Sequence, residues 1–238
     1  MSFKRLRRIL FFLFLSSGSL FLHGQTWLRE EFNSLDRWSP LTFPKIDRHS
    51  QYRLISVPGG EHWLEATSNQ AASGLVFQDS FDVYTYPILR WRWKVDAVIP
   101  TGNAEEKAGD DYPLRLYVMF QYEEEKAGFL ESLLYKSLKM IYGQTPPFAS
   151  LNYIWANRLH NRAMLPNPFT GRAQMILVEQ GSAKVGQWVE ESANLIQDYR
   201  RAFGGDPPRT ARLAIMTDSD NTGSRTRAWL DYIEIARK

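Results

Sequence analysis

The stretch Leu89-Arg90-Trp91-Arg92-Trp93-Lys94-Val95 decides the fold class. Successive side chains of a β-strand point to opposite faces, so Leu89, Trp91, Trp93 and Val95 share one face while Arg90, Arg92 and Lys94 share the other. One face is therefore core, and large aromatics fill it. The cationic face has two readings. It is either a solvated sheet face whose arginines pair with acids on neighbouring strands, or a ridge for an acidic glycan, flanked by Arg115 and Tyr117 from the strand that starts at Leu114.

Outward from this strand the same chemistry recurs at 52–57, 63–67, 74–78, 114–122, 151–156, 174–179, 211–217 and 228–235. Several of these segments alternate with period two and are bounded by Gly, Pro, Asn or Asp. Many short strands with few helices predict an all-β, jelly-roll-like β-sandwich. Two segments depart from the pattern. Over 123–142, Leu130, Leu133, Leu134, Leu138 and Ile141 recur at helical spacing with charged residues largely opposite, which predicts an amphipathic helical insertion. Residues 194–203, closed by Gly204 and followed by Pro207-Pro208, predict one short helix.

Lys4, Arg5, Arg7 and Arg8 precede an apolar run at 9–15 and a small polar run at 16–19, the layout of a secretory signal peptide over 1–24. The run is too short to span a bilayer comfortably, since about 20 apolar residues are needed. The expectation is an exported chain, periplasmic or secreted, whose residues 25–238 form one domain without a stable membrane span. Its 29 basic residues face 26 acidic ones, and removing the four basic residues of the leader leaves 25 against 26. No basic footprint remains for nucleic acid. A cysteine count of zero excludes disulfides, thiol chemistry and Cys-ligated zinc, so stability must come from burial.

Two acid-rich loops stand beside core strands: 105–111, ending in Asp110-Asp111, and 217–223, containing Asp218, Asp220, Asn221 and Thr222. Loops on a rigid scaffold are where binding and catalysis usually sit. Three chemistries are open. Asp218, Asp220 and Thr222 occupy the first, third and fifth places of a calcium-type loop with Gly223 sixth, but the twelfth place is Trp229, so calcium would need Asp110, Asp111 or Asp231 as well. Asp110 or Asp111 paired with Asp218 or Asp220 would serve glycoside hydrolysis if the loops converge, since that reaction needs two carboxylates about 5 to 10 Å apart. The plain reading is a pair of turns whose Asp and Asn side chains cap their own backbone. Asn221 is a further candidate ligand contact, and Tyr153 and Trp155 are candidates for stacking on a sugar, against a core reading for both. His49, His62 and His160 are scattered, and the chain has no P-loop, dinucleotide fingerprint or Gly-x-Ser-x-Gly elbow.

The segments Trp91-Arg92-Trp93-Lys94-Val95, Glu106 through Asp111, Arg115-Leu116-Tyr117-Val118, Leu151 through Ala156, Asp198-Tyr199-Arg200 and Ile215 through Gly223 together resemble an exported bacterial family, domain of unknown function 3047. The resemblance covers the chain after the leader and implies no activity or residue roles. The sequence thus predicts an exported β-sandwich that binds a ligand, with extracellular or cell-wall carbohydrate as the first class. A carbohydrate-active hydrolase or lyase using the aspartates, and a structural or protein-interaction domain, are the alternatives.

Overall fold

In the computed structural model the structure describes residues 25–123 and 146–238; the leader expected over 1–24 and, beyond Glu123 itself, the helix expected over 123–142 lie outside the described residues. The strands run in the order β1 (Thr26–Glu30), β2 (Trp38–Leu41), β3 (Gln51–Ser56), β4 (His62–Asn69), β5 (Ala72–Phe77), β6 (Phe81–Asp82), β7 (Ile88–Val95), β8 (Arg115–Phe120), β9 (Ala149–Ala156), β10 (Met164–Asn167), β11 (Thr170–Gln180) and β12 (Val189–Asn194). Helix α1 (Leu195–Phe203), then β13 (Thr210–Asp218) and β14 (Arg225–Ala236), complete the described elements.

Two sheets result. A six-stranded sheet runs β12-β7-β14-β4-β3 with β1 also on β14, and an eight-stranded sheet runs β10-β11-β9-β8-β13-β5-β2 with β6 also on β13. Every pairing is antiparallel except β9 with β11. The sheets pack face to face because period two sorts their residues. Leu89, Trp91, Trp93 and Val95 from β7 meet Leu151, Tyr153 and Trp155 from β9 in one core, with ring centroids 5.2 Å apart for Trp91–Tyr153 and 5.8 Å for Trp93–Trp155. The chain is thus an all-β sandwich.

Helix α1 starts and stops where its residues dictate. Asn194 Oδ1 accepts from the Gln197 amide at 3.1 Å, and Gly204 takes φ 77°, a left-handed value that a side chain would resist. Tyr199 then closes one end of the core, edge-on to Phe120 at 4.6 Å.

The faces turned away from the core differ in depth. On the eight-stranded sheet Arg115 and Tyr117 of β8, Asn152 of β9 and Met216 of β13 point outward, and the chain after β2, the β10–β11 turn and both acidic loops rise around them. That arrangement makes a cleft.

Candidate functional site

Register brings the acidic loops together. Met216 of β13 lies opposite Arg115 of β8, so Asp218, two residues on and on the same face, stands beside the entrance to β8, where Asp110 and Asp111 arrive. Gly109 makes the tight approach to Asp110 possible: a Cβ there would meet the Asn103 amide nitrogen at 2.6 Å. Gly223, at φ 63°, lets the other loop fold back so that the Ser224 amide reaches the Ser219 carbonyl at 3.0 Å.

Asp111 joins the loops. Its Oδ1 accepts from the Asn221 amide at 3.4 Å and Asn221 Nδ2 at 3.1 Å, and its Oδ2 accepts from the Thr222 amide at 2.7 Å and Thr222 Oγ1 at 2.6 Å. Its own carbonyl accepts from Asn157 Nδ2 at 2.7 Å. Fully buried with four donors on its carboxylate, Asp111 is a structural anchor.

Arg115 neutralises the rest. Its Nε donates to Asp218 Oδ1 at 3.1 Å, its Nη2 pairs with Asp218 Oδ2 and reaches the Asp110 carbonyl at 3.0 Å, and its Nη1 lies 3.4 Å from Asp110 Oδ2. Every guanidinium nitrogen is thereby used. Burial opposes the Arg115 charge, but Tyr117, Asp110, Tyr112 and Asp111 around it more than reverse that, so the group stays protonated. The Tyr112 amide also donates to Asp218 Oδ1 at 3.1 Å, and Asn167 Nδ2 to Asp110 Oδ2 at 3.2 Å. Asp220 differs. It is half-buried, its Oδ1 has no partner among the described residues, and burial followed by the nearby Asp111 carboxylate raises its pKa above the ordinary carboxylate range.

The cleft holds about 700 Å³. Arg115, Tyr117, Asn152 and Met216 form its floor, Phe43, Pro44 and Ile46 one wall, and Asn167, Phe169 and Thr170 another, with Asp220 and Asn221 at the acidic end. Phe169 is 56% exposed, with the Lys107 ammonium 5.5 Å from its ring centre. Asn152 is only 2% exposed; its Nδ2 reaches Met175 Sδ at 3.3 Å, while its Oδ1 has no partner among the described residues.

The site residues expected from sequence fall into three groups. Asp110, Asp111, Asp218, Asp220, Asn221 and Thr222 do gather, and carboxylate oxygens of Asp111, Asp218 and Asp220 lie within 4.8 Å of one another. Thr222, expected as an oxygen ligand to a metal, instead donates to Asp111. Arg115 and Tyr117 line the cleft, but not beside Arg90 and Arg92. Because β7 and β8 belong to opposite sheets, the single cationic ridge does not exist. Arg90 pairs with Glu234 at 2.7 Å and Arg92 with Asp231 at 2.9 Å, so both arginines are met by acids of the neighbouring strand.

Tyr153 and Trp155 cannot stack on a ligand, since both are fully buried. The Tyr153 hydroxyl donates to Asp198 Oδ2 at 2.9 Å and Trp155 Nε1 to the Gly181 carbonyl at 3.0 Å. Asn152 and Phe169 were missed, although both left a signal. If Tyr153 and Trp155 are core, alternation puts Asn152 on the opposite face, and the Asn-Pro-Phe-Thr-Gly run at 167–171 is turn chemistry that exposes an aromatic.

Sheets and cleft together define a β-sandwich with a largely apolar cleft on one sheet face, acidic at one end and rimmed by an exposed aromatic. The chain belongs to the family described as protein of unknown function (DUF3047), whose model matches residues 36–234. No curated protein matches it. Among solved structures it is similar to the family 30 carbohydrate-binding module of a cellulosomal cellulase of Clostridium thermocellum, with a TM-score of 0.43 and 11% identity over 89% of this chain and 98% of that one. It is also similar to the family 11 carbohydrate-binding module of another cellulosomal cellulase of the same organism, with a TM-score of 0.41 and 9% identity over 88% and 92% of the two chains. A metal-free lectin I-B4 of Griffonia simplicifolia gives a TM-score of 0.37 and 12% identity over 89% and 98%. At such scores and identities no residue role passes between the chains, and the architecture stands on the two sheets themselves.

Proposed function

We propose that this protein is an exported carbohydrate-binding β-sandwich that holds a glycan in the cleft on its eight-stranded sheet. The observation that carries this reading is the pairing of an exposed aromatic, Phe169, with a buried, unpaired acceptor, Asn152 Oδ1, in one cleft. A pyranose presents apolar C–H faces and hydroxyl edges, so it needs a ring to lie on and polar atoms to meet, and ligand sites combine mostly apolar walls with a few placed polar groups. Phe43, Pro44 and Ile46 supply the opposite wall. Export rests on the signal peptide expected over 1–24, and the glycan would then be extracellular or part of the cell wall. Native gel electrophoresis through immobilised polysaccharides tests the reading. The intact protein should be retarded by at least one polymer, and Phe169→Ala should weaken retention about tenfold, which is ~1.4 kcal/mol. No retention by any polymer would leave a structural or protein-interaction domain.

Asp220 favours a second reading, a hydrolase or lyase, because a carboxyl with a raised pKa suits a general acid. Its neighbours speak against it: Asp111 is held by four donors and Asp218 by Arg115, which leaves neither free as base or nucleophile. Soluble products released from a retained polymer, and lost in Asp220→Asn, would establish the enzyme. Calcium fits less well, since it takes six to eight oxygens, whereas the Asp111 and Asp218 carboxylates are already committed to donors and a fixed guanidinium stands beside them.

A further inference from the structure

The polar atoms of the cleft are unequally matched. At the acidic end the donors are used: Arg115 by Asp110 and Asp218, Asn167 Nδ2 by Asp110, and Asn221 Nδ2 by Asp111, while Lys45 stands elsewhere on the lining. Acceptors remain, namely Asn152 Oδ1 and Asp220 Oδ1, both shielded from solvent and without partners among the described residues. A buried acceptor left unpaired costs about 1–3 kcal/mol, so two in one cleft make a demand that a ligand with hydrogens to donate can meet. Charge points the same way. The lining carries Asp110, Asp218 and Asp220 against Arg115 and Lys45, one negative charge in excess.

An acidic sugar brings carboxylates that accept but do not donate, into a site with spare acceptors and no spare guanidinium. Each carboxylate would also be desolvated beside Asp220. A cation meets the opposite obstacle in Arg115, which already occupies the centre of the acidic cluster. Hydroxyl groups on a neutral ring satisfy both conditions, and the apolar walls suit the ring faces.

On the reading that the cleft binds carbohydrate, we propose that it selects uncharged, hydroxyl-rich glycan chains and excludes uronic-acid polymers, with Asn152 and Asp220 as the accepting groups that decide the choice. The raised pKa of Asp220 is in keeping with an acceptor poorly matched to its present surroundings. The two residues act differently. Asn152 supplies an acceptor without charge, while Asp220 supplies an acceptor and the repulsion.

Retention of the full chain is measured on neutral mannan, β-glucan and cellulose derivatives and on polygalacturonate and alginate, at one pH and ionic strength. Neutral polymers should retard it and uronate polymers should not. Asn152→Leu should lose about fivefold in neutral-polymer affinity while its melting temperature holds or rises, because an unpaired buried acceptor has been removed. Asp220→Asn keeps a weaker acceptor and removes a charge, so neutral-polymer affinity should fall about threefold while uronate retention increases. Equal or stronger retention of the intact protein on uronate polymers would overturn the selectivity and leave carbohydrate binding standing. Retention by none would overturn both. A melting-temperature rise with calcium chloride alone, absent in Asp220→Asn, would also overturn it, by assigning the Asp220 oxygen to a metal.

Discussion

The two outer faces of the sandwich carry the same residue types and treat them differently. On the six-stranded sheet, Arg90 and Arg92 keep about two fifths of their side chains in solvent and pair with Glu234 and Asp231, and Lys94 lies among the rings of Trp63, Trp188 and Trp229 at 5.1, 4.9 and 4.5 Å. On the eight-stranded sheet, Arg115 is 4% exposed and carries two aspartates, and a cleft opens beside it. Arginine, aromatic and carboxylate together do not make a site. A site arises where loops rise above the sheet, bury the charges and leave polar atoms unmatched; a flat face lets each charge find its partner in water.

The difference should be largest in stability. Arg115→Ala leaves Asp110 and Asp218 buried without compensation, and urea denaturation should show a loss of about 3–5 kcal/mol. A loss below ~1 kcal/mol would make the buried cluster equivalent to the exposed pairs. Asp111→Ala comes next. It strands four donors and releases the two loops from each other, for about 2–3 kcal/mol in the same measurement, and should abolish polysaccharide retention by opening the acidic end of the cleft.

A smaller effect belongs to the sandwich edge rather than to either face. Glu191 of β12 has its pKa pushed up to about 7 from an ordinary 4.5, first by burial and then by the Glu179 carboxylate, with Lys184, paired to Glu179, opposing the rise. A carboxyl that holds its proton more tightly when folded makes the protein less stable as pH rises from 4.5 through 7. Glu191→Gln should therefore raise the melting temperature at pH 8 and leave it near wild type at pH 4. An equal change at both pH values would contradict the assignment. The smallest effect is expected from Arg90→Ala with Arg92→Ala, at about 0–1 kcal/mol, with polysaccharide retention unchanged.

Much of the fold was legible because its strands alternate. The strand expected at 89–95 lies within β7, which starts one residue earlier, and Asn194 and Gly204 mark both ends of α1. Strands β1, β2, β6, β10 and β12 were not read. Four of them have five or fewer residues, and β12 carries Val189-Glu190-Glu191-Ser192, which reads as solvated although Glu191 is half-buried beside Glu179. The acidic loops were legible as a pair, but their meeting was not. It depends on the β8–β13 register, and strand order is a long-range property that no local pattern encodes. For the same reason sequence proximity suggests one surface for Arg90 and Arg115, whereas β7 and β8 belong to opposite sheets.

The most direct measurement is a backbone amide chemical-shift map of the labelled protein titrated with a soluble oligosaccharide from a polymer that retards it. Perturbations should gather on Tyr117, Asn152, Phe169, Asp220 and Asn221, around the cleft of the eight-stranded sheet. Perturbations gathered instead on Trp63, Lys94, Trp188 and Trp229 would place the ligand on the flat face and contradict the account.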